Sequence, residues 1–167
     1  DIVVASADLS CSVKTAMFAE HFPERHFNFG IAEQNMISAC AGFAAAGKTA
    51  FASTFAIFVT GRVYDQIRQS VAYPNLDVKI VATHAGITVG GDGATHQMIE
   101  DLALMRVLPN MTVIVPADAP ETKRAVLAAA EYKGPVYIRL GRANIPVCTD
   151  IPECQDFEIG KASTMRE

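Results

Sequence analysis

The sequence lacks a basic run, a long apolar run and any paired cysteine motif. Asp and Glu (18) outnumber Lys and Arg (14), and the net charge of −4 offers no footprint for nucleic acid or an anionic membrane. The four cysteines form no Cys-x-x-Cys pair, which disfavours structural zinc and favours a reduced compartment. No apolar stretch approaches the ~20 residues of a membrane span. We therefore expect a cytoplasmic protein whose partners are small molecules or other proteins.

Short apolar runs alternate with helical patterns along the chain. Strands are predicted over residues 2–5, 26–29, 49–52, 78–82, 112–115 and 136–140. Helices are predicted from about residue 13 and over residues 33–46, 53–73, 98–107 and 119–132. Strands that alternate with helices of this length predict an α/β fold with a doubly wound, mainly parallel sheet and helices on both faces.

Two of the helix starts carry local signals. Asp118 and Glu121 have the spacing of a capping box, with Pro120 in the first turn. Ser53 and Thr54 are predicted to introduce the longer helix. Its buried stripe is expected to contain four residues at i+4 steps, namely Val59, Val63, Ile67 and Val71.

The 167 residues, half of them hydrophobic, are enough for one domain with a full core. We predict an α/β domain over residues 1–143 and, because prolines and acidic residues accumulate beyond it, a linker over residues 144–167. A strand-like run begins directly at Asp1 and no closing signal precedes Glu167. The chain is therefore expected to be a piece of a larger protein.

Polar or glycine-rich segments follow four of the predicted strands, at residues 6–12, 53–58, 84–96 and 141–142. Parallel strands place their carboxyl ends at one edge of the sheet, and ligands of such sheets gather there. We expect these four segments to converge on that edge.

Glu33 stands at the head of a helix that is otherwise small and apolar. Its helical neighbours at i+3, i+4 and i+7 are Met36, Ile37 and Cys40, so the carboxylate is expected to point inward or into a contact surface. A carboxylate at a helix start is commonly an N-terminal cap. Considered without any further context, the residues favour the cap over a ligand-binding role.

Two of the four histidines share a glycine-rich loop with an aspartate. His84, Asp92 and His96 could be metal ligands, but their spacing matches no standard site. Hydrogen bonding to a substrate suits them better, because glycines let the backbone approach a ligand while His and Asp provide donors and acceptors. The alternative is a solvated loop with incidental histidines.

Phe55, Phe58 and Arg142 each allow two interpretations. As single residues, the phenylalanines are expected in the core. Arg142 follows a strand directly and is either a surface charge or a clamp for a phosphate or carboxylate group.

Together these segments resemble the central, pyrimidine-binding domain of transketolase, and the resemblance covers nearly the whole chain. The motifs are specific only in combination. They occur in the family's order, as Ser6-Ala7-Asp8-Leu9, Gly30-Ile31-Ala32-Glu33-Gln34, Ser53-Thr54-Phe55 with Phe58, Thr83-His84-Ala85-Gly86-Ile87, Gly91-Asp92-Gly93-Ala94-Thr95-His96-Gln97, Pro116-Ala117-Asp118 and Leu140-Gly141-Arg142.

The resemblance implies a cofactor site for thiamine diphosphate. Glu33 would hydrogen-bond the aminopyrimidine ring nitrogen and so activate the cofactor, which supplies the carbanion chemistry. Phe55 and Phe58 would pack around the pyrimidine. Asp8 would lie near the cofactor at a subunit contact.

The resemblance also implies a sugar-phosphate substrate and two-carbon ketol transfer, as in the pentose phosphate pathway. Asp92 and His96 resemble residues that bind substrate hydroxyls and assist proton movement, which makes His96 a catalytic candidate beside the cofactor-activating glutamate. Ser12, His84 and Arg142 resemble residues near the distal phosphate.

By the same resemblance, a partner would bind Mg²⁺ and the pyrophosphate. Gly91-Asp92-Gly93 with a later Asn110 suggests the family's magnesium motif, but the interval is too short and we assign no metal ligand to this chain. In the family the cofactor lies between the pyrophosphate domain of one subunit and the pyrimidine domain of another. A C-terminal domain is expected from about Phe157. We expect the chain to be inactive alone and to work in a homo-oligomer such as a dimer, or in a heterotetramer, either as an excised domain or as the C-terminal subunit of a split transketolase.

Three alternatives stay open. Deoxyxylulose-phosphate synthase uses similar segments, although Thr83-His84 and Glu100 favour transketolase. One departure from the transketolase pattern is Gly61, which stands where many transketolases place a third aromatic residue. A β subunit of a 2-oxoacid dehydrogenase would not be expected to carry Asp92 and His96 in this arrangement. From another class, the domain could be a non-catalytic scaffold that binds a partner through the surface around Glu33.

Overall fold

Six strands form one sheet in the computed structural model, which describes residues 1–162 and 164. The strands run in the order β2-β1-β3-β4-β6-β5 and every neighbouring pair is parallel. The doubly wound, parallel α/β fold is confirmed. The strands are β1 (Ile2–Ser6), β2 (His26–Asn28), β3 (Thr49–Phe55), β4 (Val78–Thr83), β5 (Thr112–Ile114) and β6 (Val136–Arg139).

Helices cover both faces of the sheet. The α-helices are α1 (Ala16–His21), α2 (Glu33–Ala45), α3 (Tyr64–Gln66), α4 (Asp101–Arg106) and α5 (Ala119–Glu131). Helical turns of other types lie at Pro23–Arg25 and Pro152–Cys154 (3₁₀) and at Ile57–Gly61 and Ile67–Ala72 (π). In the part of the chain that the structure describes, no helix has the length and apolar character needed to cross a membrane.

The alternation of side chains along the strands creates two cores. Ile80 and Tyr137 point to the face covered by α2, α4 and the helical segment 57–72. Val81 and Ile138, one residue further along their strands, point to the opposite face, where they pack with Ala125 of α5.

The third strand is longer than predicted. Ser53, Thr54 and Phe55 pair with Val81, Ala82 and Thr83 of β4, so the prediction that Ser53 and Thr54 introduce a helix was wrong. Both side chains are buried, and the Ser53 hydroxyl donates to the Val81 carbonyl at 2.9 Å, which satisfies a hydroxyl inside the sheet. The buried stripe at i+4 steps is confirmed, because Val59, Val63, Ile67 and Val71 are all fully buried.

The fourth helix is shorter than the predicted range of 98–107. Met98 instead forms an isolated bridge with Ala85, and its carbonyl accepts from Gly86 N at 2.7 Å. Met98 therefore closes the base of the glycine-rich loop before α4 begins at Asp101.

Asp118 caps α5 as predicted. Its carboxylate accepts from Glu121 N at 3.0 Å, and the Glu121 carboxylate accepts from Ala117 N at 2.5 Å. The same Asp118 carboxylate accepts from Cys148 N and Thr149 N, each at 2.7 Å. Burial would raise the pKa of Asp118, but a hydrogen bond from the Thr149 hydroxyl at 2.6 Å, together with these backbone hydrogen bonds, outweighs it and holds the pKa far below its usual range.

Part of the predicted linker is therefore packed onto α5. Thr149 is buried, and Arg124 donates to both its carbonyl and its hydroxyl. That this segment leads to a further domain stays a prediction. The predicted linker includes residues 163 and 165–167, which lie outside the described residues.

Candidate functional site

The carboxyl ends of the strands meet at one edge of the sheet, as the parallel pairing requires. Asp8 follows β1, Phe55 ends β3, His84 follows β4 and Arg142 follows the end of β6 by three residues. Glu33 begins α2, the helix that follows β2, and β2 is the edge strand next to β1. The expected convergence of polar segments is confirmed.

Glu33 is the first residue of α2 and is only 3% exposed. The N-cap position belongs to Ala32, whose side chain makes no capping bond, so the interpretation of Glu33 as the cap was wrong. The apolar stripe below it is confirmed, because Met36, Ile37 and Cys40 are buried. The packing of that stripe directs the start of the helix, and with it the carboxylate, inward.

Arg62 pairs with the buried carboxylate. Its Nη1 lies 2.9 Å from each of the two Glu33 oxygens, and its guanidinium carbon lies 4.5 Å from the centre of the Phe58 ring. Arg62 directly follows the π-helical turn Ile57–Gly61, and π-helical turns are frequent at functional sites. The sequence analysis did not identify Arg62 as a site residue. Its position at i+4 from Phe58 was the available signal.

A row of aromatic rings continues from Arg62. The Phe55 and Phe58 rings are stacked, with centroids 5.8 Å apart and planes inclined by 14°. His84 stacks on Phe55 at 3.8 Å, and His96 meets Phe58 edge-on at 5.5 Å. The structure thus brings both phenylalanines and both loop histidines into one continuous cluster with Glu33.

The loop that carries the histidines is anchored at its base and by Arg142. His84 has a φ of +59°, and the next residue donates from its N–H to the Leu140 carbonyl at 3.0 Å. Arg142 Nη1 donates to the Val89 carbonyl at 3.0 Å. Glycine is favoured at Gly90 because its φ of +88° strains any other residue, and a Cβ there would also displace that nitrogen, from which it would lie 2.6 Å.

Burial and neighbouring charges shift the pKa of His84. Partial burial, and next the Arg142 cation, lower the pKa of His84, while Asp92 opposes this shift and His96 adds slightly to it. The imidazole is therefore neutral near pH 7 and can donate from one nitrogen and accept at the other. Its Nδ1 lies 2.9 Å from the Thr83 hydroxyl.

A buried network of hydrogen bonds supports the loop from below. The buried Asp101 accepts from the Tyr137 hydroxyl at 2.8 Å and from Arg139 Nε at 2.7 Å. Arg139 Nη2 would lie 3.3 Å from a Cβ at Gly86, which places the guanidinium directly under the start of the loop. Burial, and next the Asp101 charge, raise the pKa of Tyr137, so its hydroxyl is held as a donor. Nothing in the local sequence pattern singled out these three side chains.

The remaining candidates lie on the loop after β1. Asn28 accepts from Asp8 N at 3.0 Å and from Gly30 N at 3.1 Å, and so links this loop to the segment that leads into Glu33. Asp8 (φ +60°) and Ser12 are exposed and line one shallow depression with Asn28. Among the hydrogen bonds of the described residues, none joins Ser12 to the Glu33 cluster.

The cluster fits one half of a thiamine cofactor. Stacked phenyl rings offer flat apolar faces, and the buried carboxylate, which is linked to Phe58 through Arg62, offers a polar contact to the edge of a heteroaromatic ring. Within residues 1–162 and 164, no three His, Cys, Asp or Glu side chains form a group that could hold a metal ion. Asn110, the later asparagine of the rejected magnesium motif, donates to the Ala72 carbonyl at 2.9 Å.

The fold and this edge define an α/β domain with a cluster of aromatic and charged side chains at the carboxyl ends of parallel strands. The family model of the transketolase pyrimidine-binding domain matches residues 1–147. The chain therefore belongs to the family of transketolase pyrimidine-binding domains.

Curated relatives agree with this assignment. A putative transketolase C-terminal section of Methanocaldococcus jannaschii is 56% identical over 165 residues, which are 99% of this chain and 52% of that protein. A 6-deoxy-6-sulfo-D-fructose transketolase subunit of Clostridium sp. is 42% identical over 99% of this chain and 51% of that protein. The chain spans about half the length of these two relatives.

Solved structures share the fold. A split-gene transketolase, described as an inactive β4 tetramer, superposes with a TM-score of 0.86 at 56% identity and covers 99% of this chain and 53% of that one. The transketolase of Campylobacter jejuni superposes with a TM-score of 0.77 at 33% identity, over 91% of this chain and 25% of that one.

Proposed function

We propose that this chain is the pyrimidine-binding part of a split transketolase and contributes the glutamate that activates thiamine diphosphate for ketol transfer between sugar phosphates. One observation carries the proposal: the buried Glu33 carboxylate is paired with Arg62, whose guanidinium lies against Phe58 in the row of rings that leads to Phe55 and the loop histidines. A ring bound against the phenylalanines would have the carboxylate on one side and the substrate loop on the other.

In this proposal the chain orients the cofactor and controls a proton. When bound, thiamine diphosphate supplies the carbanion that attacks the ketose. Glu33 donates a hydrogen bond to the pyrimidine ring nitrogen, and Phe55 and Phe58 hold the ring by their faces. Asp8, exposed after β1, lies on the side where another subunit would dock.

The glycine-rich loop and its neighbours would bind the substrate. The neutral imidazole of His84 and the carboxylate of Asp92 suit sugar hydroxyls, because together they offer donors and acceptors. His96, against the edge of Phe58, is placed to pass a proton near the cofactor. Arg142, with Ser12, suits the distal phosphate, because a guanidinium binds phosphate with two parallel hydrogen bonds.

A partner domain or subunit would bind Mg²⁺ and the pyrophosphate. Two observations support a partner: one curated relative is called a C-terminal section and another a subunit, and the split-gene relative in β4 form is described as inactive. The chain alone would therefore be inactive, and the active form would be a homo-oligomer or a heterotetramer of two kinds of subunit.

The test is Glu33→Gln in the complete assembly. Ketol transfer from xylulose 5-phosphate to ribose 5-phosphate should fall at least about 100-fold, because the amide cannot exchange the proton. Thiamine diphosphate binding, measured by calorimetry, should be largely retained.

Glu20→Gln is the matched control, since Glu20 is exposed on α1. It should leave transfer unchanged. Undiminished transfer by Glu33→Gln would refute the proposed role. Reaction of wild type with pyruvate and glyceraldehyde 3-phosphate, in place of the two pentose phosphates, would assign the chain to deoxyxylulose-phosphate synthesis. Absence of cofactor binding by every assembly would leave only a non-catalytic scaffold.

A further inference from the structure

We infer that Arg62 competes with the cofactor for Glu33, so that this arginine sets the affinity of the site for the aminopyrimidine ring. The inference rests on the proposed function, and it names a residue of the site that the family motifs do not contain. The position of Arg62, against both the carboxylate and the neighbouring aromatic ring, carries it.

Arg62 occupies the polar end of the site. One guanidinium nitrogen lies 2.9 Å from both oxygens of Glu33, and among the hydrogen bonds of the described residues the carboxylate accepts from no other side chain. The Glu33 side chain is 3% exposed, whereas that of Arg62 is 47% exposed. The guanidinium therefore covers the carboxylate from the solvent side, which is the side from which a ligand arrives.

Arg62 also occupies the aromatic end of the site. Its guanidinium carbon lies 4.5 Å from the Phe58 centroid, where a cation is attracted by the face of the ring. A pyrimidine that stacks on Phe58 and meets Glu33 needs the space next to both groups. Cofactor and guanidinium therefore require the same two contacts.

The hydrogen-bonding roles exclude simultaneous pairing. A carboxylate in an ion pair is an acceptor only, and a pyrimidine ring nitrogen with a free electron pair is also an acceptor. A bond between them needs one proton, which the carboxylate takes up from a hydronium ion of the solvent once the guanidinium has left. The exchange breaks one ion pair and one O–H bond of hydronium, and it forms the carboxyl O–H and one neutral hydrogen bond to the ring nitrogen.

The movement is confined to a side chain. The Arg62 carbonyl accepts from Gln34 Nε2 at 3.2 Å, and the next residue, Val63, is fully buried, so the backbone is fixed. The half-exposed guanidinium can rotate into solvent without a change of fold.

The first experiment uses the full chain alone and tests the pair itself. Urea unfolding is measured for wild type, Arg62→Met, Glu33→Gln and the double variant. The two single changes should be non-additive, because Arg62→Met leaves a buried carboxylate without a partner only when Glu33 is present. Arg68→Met, an exposed arginine further along the same helical segment, is the control and should add independently to Glu33→Gln. Additive effects at Arg62 would overturn the inference.

The second experiment measures the dissociation constant of thiamine diphosphate from the assembly with the pyrophosphate-binding partner. Arg62→Met should lower it about tenfold, the equivalent of about 1.4 kcal/mol, and Arg62→Gln should act in the same direction if the first variant folds poorly. Arg62→Lys, which keeps the charge, should stay near wild type, and so should Arg68→Met. The effect of Arg62→Met should be smaller in the Glu33→Gln background, where only the contact with Phe58 still competes.

The outcomes separate the two claims. A wild-type assembly that binds no thiamine diphosphate would overturn the proposed function and, with it, the competition. Tight wild-type binding that Arg62→Met leaves unchanged or weakens would overturn the competition alone, because it would make Arg62 neutral or a contact of the cofactor.

Discussion

Glu33 and Asp101 occupy the same position in two helices. Each is the first residue of its helix, each is buried, and each pairs with an arginine. Asp101 also accepts from the Tyr137 hydroxyl, and its arginine is only 22% exposed. Arg62, the partner of Glu33, is 47% exposed and bonds the carboxylate through a single nitrogen, Nη1.

The difference separates a structural carboxylate from the one that meets the cofactor in the proposed function. The network of Asp101, Tyr137 and Arg139 lies beneath the glycine-rich loop and ties β6 to the start of α4. Its partners cannot be replaced by water without leaving buried charges unpaired. The arginine that pairs with Glu33 can be solvated by water, so only the buried carboxylate needs a new partner when a ligand replaces the arginine.

The largest effect on stability is expected when Asp101 loses its charge. Asp101→Asn keeps the shape but removes the charge opposite the largely buried Arg139, and it should lower the free energy of unfolding by about 3–5 kcal/mol. Glu33→Gln should cost about 1 kcal/mol or less, because Arg62 can turn into solvent. Urea denaturation of the full chain measures both.

Asp65→Asn, at an exposed aspartate, controls for the loss of a surface charge. Equal losses for the Glu33 and Asp101 variants would show that the two carboxylates are equivalent and would contradict the distinction.

A smaller effect on stability is expected when the Asp101 network loses one hydrogen bond. Tyr137→Phe removes one of the two donors to Asp101 and should lower the free energy of unfolding by about 1.5–3 kcal/mol, as expected for a hydrogen bond to a charged group. In the Asp101→Asn background the loss should be smaller, because the acceptor is then neutral.

Tyr73→Phe is the matched control, since the Tyr73 side chain is 77% exposed. It should change the stability little. A Tyr137→Phe variant as stable as this control would show that the network does not support the loop.

The smallest effect is a pH dependence at the loop itself. Partial burial and the Arg142 cation lower the pKa of His84 in the folded chain, whereas an unfolded histidine titrates near about 6.5. The unfolded state therefore binds more protons just below that pH, so the His84 contribution is full above about 6.5 and is lost as the pH falls toward the folded pKa. Urea denaturation of wild type and His84→Gln from about pH 7.5 to 5.5 should show a difference that shrinks with acidity.

His21→Gln, at an exposed histidine of α1, is the control. A difference between wild type and His84→Gln that grows with acidity would mean that the folded chain favours the charged imidazole, contrary to the surroundings described for His84.

Much of the fold was predictable because local patterns and tertiary packing agree. All six strands, the capping box at Asp118 and the buried stripe through Val59 follow from periodicity and spacing. Prediction failed where a neighbouring strand decided the outcome. Ser53 and Thr54 have the composition of a helix start, yet the hydrogen bonds of β4 hold them in a strand.

By itself the sequence determined the alternation of strands and helices, the edge at which polar segments meet and the motifs that assign the family. The tertiary structure alone decided which cation meets which carboxylate. Glu33 and Arg62 are 29 residues apart, and Asp101 and Arg139 are 38 apart. No local period links such pairs, because their distance depends on how whole helices pack across the sheet. The contrast between Glu33 and Asp101 is therefore a property of the packed chain.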